Sequence, residues 1–387
     1  MNLQEFLRRH SNAQFIGPHL DSPFVAILNS RQSKTPVGSN NWVRNTVLAV
    51  KKAVERGSTI LSSTGMNTYE LVLWATGYSG GKQIIVSRFD PNNPPGILAG
   101  KIIRDFRLKP EDTAFLFFPS SAPPSKPKLA WAERDNIVCE LADIIYPISI
   151  RTGGSLERLI KMNTARGCSI INEFTVPYAI PKRTPLQPLD TTRLETIIRA
   201  TSWNYITHFT HTFSGPWQDE LPYNYYRDIV ESGEEYPRSA FATLKRIVIE
   251  QKIIPSVSHM RNKIPAISFT SLLPTEATKL MRWRKSYVRY TFEPYGIAID
   301  KEIALQAGIR PVIYGDEMTY KLLPEDEKPY FQPRGTIGEW TRESEWRFIG
   351  TLYLSKIPRE KMLVIVKTEA EALELRRLTN IPIISFA

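Results

Sequence analysis

Three short stretches of the 387-residue sequence hold residues suited to a phosphate. Asn29, Ser30 and Arg31 follow the apolar run FVAIL. Ser62, Ser63, Thr64 and Gly65 follow STIL, and Thr152, Gly153, Gly154 and Ser155 precede a helical pattern. Small residues let backbone N–H groups approach an anion, and a helix N-terminus adds about half a positive charge. None of the three is a Walker loop or a G-x-G-x-x-G fingerprint. Glu157 sits where a first-turn carboxylate would complement the helix dipole. In the second half, Glu343 and Glu345 form a Glu-x-Glu pair that a strand would point to one face. A later run, Arg282, Trp283, Arg284 and Lys285 followed by Tyr287, Arg289 and Tyr290, interleaves cations with rings. That composition suits single-stranded nucleic acid, whose bases stack and whose phosphates meet the cations. It equally suits a solvated helix face with its aromatics packed inward.

The elements that must position these residues are legible from Phe24 onward. FVAILNS, STILSSTG, KQIIVS, TAFLFFP, ADIIYPIS and CSIINEF read as strands. Between them lie helical runs WVRNTVLAVKKAVERG, MNTYELVLWATGYSG, LAWAERDNIVCELA and GGSLERLIKMNTARG. Strands alternating with helices at this spacing predict βαβ units and a parallel sheet covered on both faces. VPYAIPKRTPLQPLDTT is dense in proline and reads as a linker. Beyond it HFTHTF, AISFT, YGIAID, RPVIYG and EWRFIGTLYL are scattered short strands, and the end is strand–helix–strand, an α+β pattern. The predicted boundaries are 1–180, a linker over 181–200, and 201–387.

Net charge is +11 with a pI near 9.5. Residues 1–185 carry 23 Lys and Arg against 14 Asp and Glu, so nearly all of the excess lies in the first half. A polyanionic partner fits, since phosphate neutralisation gives sequence-independent affinity; a merely soluble basic surface is the bland alternative. No apolar run reaches the ~20 residues a membrane span needs. The polar start predicts a cytoplasmic protein without a membrane partner. Cys139 and Cys168 are too few for a metal cluster, so no metal is expected; they read as two buried thiols, with a single disulfide as the alternative.

VAILNSRQSKTPVG, the following strand–turn–helix, and ERDNIVCELADIIYPISIRTGGSLERL together resemble DNA-processing protein A. They are also similar to the LONELY GUY phosphoribohydrolases of the same SLOG-type, Rossmann-like group. Glu133 and Arg134 match that group's "ER", and Gly154, Ser155, Leu156 and Glu157 match its "GTLE". The resemblance implies a nucleotide- or nucleic-acid-binding domain. In a phosphoribohydrolase an arginine holds the sugar phosphate and a glutamate assists glycosidic cleavage, which here would be Arg134 and Glu157. Asn29 stands where these families have glycine, and the proline before the glycines of the last motif is missing.

His208-Phe209-Thr210, Ser268-Phe269-Thr270 and the late Glu345 have the order of ADP-ribosyltransferase-like folds. AISFTSLLP, FEPYGIAIDKEIALQAGIRPVIYG and ESEWRFIG resemble AbiGi-type abortive-infection proteins. The likeness implies an NAD-using effector in which His208 anchors a ribose or phosphate, Thr270 supports the nicotinamide ribose, and Glu345 with Glu343 stabilises the oxocarbenium-like centre. Read as ordinary structure, His208 is a hydrogen-bonded strand histidine and Glu345 pairs with an arginine.

The reading as a whole is a Rossmann-like doubly wound parallel sheet followed by an α+β, ADP-ribosyltransferase-like domain. It describes a prokaryotic defence or stress protein that binds a nucleotide, DNA or RNA, with homo-oligomerisation left open. The rivals are a non-catalytic DNA- or RNA-binding protein and a nucleotide N-glycosidase acting in the first domain.

Overall fold

The computed structural model describes residues 3–89, 92–120, 127–179, 186, 188–257, 260–284, 289–334 and 344–386. The chain divides into two units. The first is Met1–Arg183 with Asp219–Pro237, and the second is Thr184–Gln218 with Arg238–Ala387.

In the first unit the elements are α1 (Leu3–Arg9), β1 (Gln14–Ile16), β2 (Phe24–Asn29), α2 (Asn41–Glu55), β3 (Thr59–Ser63), α3 (Asn67–Tyr78) and β4 (Gln83–Arg88). There follow α4 (Pro95–Phe106), β5 (Thr113–Phe118), α5 (Pro127–Leu141), β6 (Ile144–Ser149), α6 (Ser155–Ala165) and β7 (Ser169–Ile170). The sheet order is β1-β5-β4-β3-β2-β6-β7, parallel throughout except for β1, which runs antiparallel to β5. The chain steps outward from β2 to β5 and then crosses back to place β6 on the other side of β2, so the strand order reverses at β2.

The strands are apolar throughout because the sheet is covered on both faces. Val25 and Ile27 join α2, α3 and α4 in one core, while Phe24, Ala26 and Leu28 join α1 and α5 in the other. Sequence periodicity did not reveal β1 or α4, whose residues lie between the recognised elements.

The chain re-enters this unit after residue 218. The helix Pro222–Glu231 puts Tyr225, Tyr226 and Ile229 into the same core as α2, α3 and α4, with Tyr226 stacked on Phe106. Three such side chains contribute about 1.5–3 kcal/mol each. The unit therefore does not end at residue 180, as the sequence had suggested. Nor is 181–200 linker throughout, since Thr192–Thr201 is a helix that buries Leu194 and Ile198. A single protease cut in the proline-rich stretch leaves the Pro222–Glu231 helix on one fragment and its packing partners on the other. The fragments are expected to co-migrate in native gel filtration and to separate in denaturant; independent migration under native conditions would contradict this packing.

The second unit holds a seven-stranded sheet. Its strands are β8 (Tyr205–Phe209), β9 (Ala266–Thr270), β10 (Gly296–Asp300), β11 (Arg310–Pro311), β12 (Glu345–Ile349), β13 (Met362–Val366) and β14 (Ile383–Ser385). The order is β11-β12-β9-β8-β10-β13-β14, antiparallel except for the last pair. One face packs on the helix Ala240–Glu250 and the other on Thr192–Thr201. Among the described residues, no helix is long and apolar enough to cross a membrane.

Candidate phosphate-binding site

In a doubly wound sheet, ligands bind beyond the carboxyl ends of the strands where the strand order reverses. Here that place is the pair of loops after β2 and β6, and they are stitched together. Ser30 N–H donates to the Ser149 carbonyl at 2.9 Å, and Arg151 N–H donates to Ser30 Oγ at 2.9 Å. Arg31 and Arg151 are exposed on this rim, Lys34 in the loop after β2 is half-buried, and so is Arg88 at the end of β4, two strands from β2. Among the described residues none of these four makes an ion pair.

Beneath the rim lie buried polar atoms with no partner among the described residues: Asn29 Oδ1, Gln32 Nε2 and Thr68 Oγ1. Asn29 Nδ2 donates to Thr46 Oγ1 at 2.9 Å, and Thr46 spends its own proton on the Trp42 carbonyl at 2.6 Å. The amide orientation of Asn29 is thereby set, leaving an acceptor unmet. Each buried polar atom left unpaired costs about 1–3 kcal/mol. Thr68 lies in the first turn of α3, and neither Met66 before α3 nor Asn40 before α2 caps its helix through a side chain. Asn67 Nδ2 ties α3 to the β2 loop through the Ser33 carbonyl at 2.7 Å. Asn29 thus contributes a polar side chain at the end of β2.

The other predicted residues have mainly bracing roles. Gly65 and Gly153 have φ of +86° and +71°, the left-handed region that glycine enters without strain. Gly65 N–H donates to Glu70 Oε1 at 2.7 Å. Among the described residues Ser63 Oγ reaches the neighbouring Thr64 carbonyl, at 3.4 Å. Arg134 is buried at 4 % exposure, its Nη2 and Nε on Asp135 Oδ1 at 2.8 and 3.1 Å and its Nη1 toward the Thr64 carbonyl at 3.4 Å. Its guanidinium lies 4.4 Å over the Tyr69 ring, whose hydroxyl donates to the same Asp135 oxygen at 3.0 Å. Burial, and then Asp135, push the Tyr69 phenol well up. Arg134 therefore holds the Thr64–Met66 turn in place. Glu157 accepts from Gly153 N–H at 2.7 Å and pairs with Lys161 at 3.1 Å, and these contacts hold its carboxyl below the usual range. Gly154 opens α6 as its N-cap, followed by exposed Ser155. Arg134 and Glu157 are each engaged by their own neighbours, an arrangement that does not set them up as a glycosidase pair.

In the second unit the strand register separates residues that the sequence had grouped. Thr270 lies opposite Thr207 and Glu345, and Ser268 lies opposite Arg347. These five share one face, because their strand neighbours Ile206, Ile267, Phe269 and Trp346 fill the core on the other. His208 is on that other face, two residues from Ile206, with Nδ1 2.8 Å from the Ser268 carbonyl and its ring 5.6 Å from Phe269. Burial pushes its pKa down, so it is neutral rather than a cationic anchor. Glu345 Oε1 accepts from Ser268 Oγ and from Arg347 Nε, both at 2.8 Å, and Oε2 accepts from Arg347 Nη2 at 3.1 Å. Glu343 lies outside the described residues, as does Lys285. Of the two readings of the 282–290 run, the solvated helix face is not what the described residues form: Trp283–Arg284 pairs antiparallel with Arg289–Tyr290, and Arg284 Nε donates to Thr291 Oγ1 at 3.2 Å. Arg282 Nε reaches the Lys279 carbonyl at 3.3 Å.

Sequence reasoning missed Arg88, Arg151, Gln32 and Thr68. The two arginines had a readable signal, being cations at the ends of predicted strands. Gln32 and Thr68 had none, because only burial without a partner marks them.

No protein-family model matches the chain. No curated protein matches it either. Among solved structures the chain is similar to DNA processing protein A from Helicobacter pylori, at 17 % identity and a TM-score of 0.30 over 44 % of this chain and 72 % of that one. It is similar to DNA processing protein A from Streptococcus pneumoniae at 18 % identity and a TM-score of 0.29, over 38 % of this chain and about half, 49 %, of that one. The molybdenum cofactor carrier protein of Chlamydomonas reinhardtii is similar at 10 % identity and a TM-score of 0.26, over 39 % of this chain and 75 % of that one.

Proposed function

We propose that the first unit binds the phosphate backbone of a single-stranded nucleic acid along its strand-end rim. One observation carries the reading: Arg88, Arg31 and Arg151, none ion-paired among the described residues, stand at or just beyond the ends of β4, β2 and β6. Three strand spacings separate β4 from β6, roughly 15 Å. A row of cations that long outreaches the phosphates of one nucleotide and suits a chain of them. The Helicobacter pylori neighbour is described by its single-stranded DNA binding mode; here the reading rests on this chain's own arginines. Arg31→Ala with Arg151→Ala is expected to weaken oligonucleotide binding about a hundredfold, tenfold for each lost charge-assisted contact. The slope of log affinity against log salt should also fall by about 1.4, the value for two phosphate contacts on a single strand. Fluorescence anisotropy across a salt series measures both, and unchanged affinity and slope would remove the site from this rim.

For the second unit, the shared face of Thr207, Ser268, Thr270, Glu345 and Arg347 supports the NAD-using effector implied by the resemblance to abortive-infection proteins. Of these residues Ser268 is exposed, while Thr207 is 1 % exposed. His208 takes no part, being on the opposite face. In a defence protein of this kind, nucleic acid on the first unit would govern the second. Release of nicotinamide from NAD, with and without oligonucleotide, tests this reading.

A further inference from the structure

Residues 219–237 leave the second unit's run of chain, pack in the first, and return, with Gln218 and Arg238 assigned to the second unit on either side. Within the first unit this segment touches the loop after β2, one of the two that form the phosphate rim, and the turn after β3. Tyr226 Oη donates to Glu70 Oε2 at 2.7 Å, and the other oxygen of Glu70 holds Gly65 N–H at 2.7 Å, so the turn after β3 is fastened to the helix by one carboxylate. At the far end of the helix, Ser232 Oγ accepts from Gly38 N–H at 2.9 Å and the Gly233 carbonyl accepts from Ser39 N–H at 3.2 Å, fastening the loop after β2. Burial and the neighbouring Glu70 keep the Tyr226 phenol protonated, so its hydroxyl stays a donor. The helix fills the core beside Phe106 and Trp74, so it moves as a packed body rather than as a loose strap.

We propose that this segment regulates the rim: its seating and the binding of a phosphate backbone are coupled, and the coupling is carried to the second unit along the chain on either side of it. The proposal rests on the phosphate-binding reading above. Coupling is reciprocal, so a ligand that orders the loops after β2 and β3 must tighten the segment, and loosening the segment must weaken the ligand.

The test uses the full chain and a single-stranded oligothymidylate, with hydrogen exchange read by mass spectrometry and affinity read by anisotropy. Oligonucleotide is expected to protect residues 30–40 and 64–70, and with them 222–233, with a change in exchange extending to 238–250. Tyr226→Phe removes the hydroxyl from Glu70 and is expected to weaken binding about fivefold while abolishing the added protection of 222–233. Tyr225→Phe is the control. It removes a hydroxyl from the same helix, one that meets Tyr236 at 3.1 Å, and its affinity should match the parent. Protection of the two loops with no change at 222–233, or equal weakening in both variants, overturns the coupling while leaving the binding site intact. Absence of any binding or loop protection overturns the phosphate-binding reading, and the coupling with it.

Discussion

Gly38→Ala is expected to destabilise the first unit severely, by about 3 kcal/mol or more, at the upper end of what overpacking costs. A Cβ built at Gly38 would lie 2.0 Å from the Ser232 carbonyl oxygen, 2.8 Å from that of Val230 and 2.9 Å from that of Ile229. All three are backbone atoms at the end of the Pro222–Glu231 helix, so no flexible side chain can move aside. Relief requires the helix to lift, which gives up the burial of Tyr225, Tyr226 and Ile229. Gly100→Ala is the matched control: it lies inside α4 with nothing within 4 Å of its Cβ position. There alanine should stabilise, by up to about 1 kcal/mol, because it lowers the entropy cost of helix formation. Thermal and urea unfolding of the two variants measure the contrast; equal stability would mean that the helix end does not press on Gly38.

Replacement of Arg347 should cost still more. Its side chain is 4 % exposed and that of Glu345 is 14 % exposed. Besides the carboxylate, the guanidinium satisfies the Phe331 carbonyl at 2.9 Å, the Pro329 carbonyl at 3.3 Å and the Gln332 side chain. Arg347→Met keeps the bulk of the stem but strands a mostly buried carboxylate and these acceptors. The expected loss is about 3–5 kcal/mol, the usual range for breaking one side of a buried pair. Glu345→Gln keeps an acceptor for Ser268 and weakens the bonds to Arg347, so its loss should be smaller, about 1–3 kcal/mol. If the NAD reading holds, nicotinamide release by Glu345→Gln falls about a hundredfold under conditions where the variant remains folded. Undiminished release from folded Glu345→Gln would leave the Glu345–Arg347 pair a purely structural clamp.

Alternation and periodicity in the sequence announced the parallel sheet because each strand–helix repeat is local. FVAIL buries both faces of β2 wherever the rest of the chain goes, and the 3.6-residue stripe of Val43, Val47 and Val50 specifies a helix before any partner is known. The strand-end positions of Asn29, Ser30, Arg31 and Gly154 followed from the same pattern, since a loop between a strand and a helix must open at the sheet edge. The positive φ of Gly65 and Gly153 was likewise foreshadowed by glycine where a turn was required.

Residue order could not say which side chains meet. His208, Thr270 and Glu345 all lie on predicted strands, yet a strand shows alternate residues to opposite faces, and one step of register separates His208 from the other two. Arg134 matched a family motif by its neighbours in sequence, whereas its role is set by Asp135, Tyr69 and the Thr64 carbonyl, two of which are more than sixty residues away. The return of residues 219–237 to the first unit was equally invisible. Tyr225, Tyr226 and Ile229 form an apolar helical stripe that would suit many cores. The choice among them is made by Gly38, nearly two hundred residues earlier, whose missing side chain leaves room for the end of that one helix. Local patterning specifies which faces must be buried, but the partner that buries them is selected by shape and by unmet hydrogen bonds between distant segments, which exist only once the chain has folded.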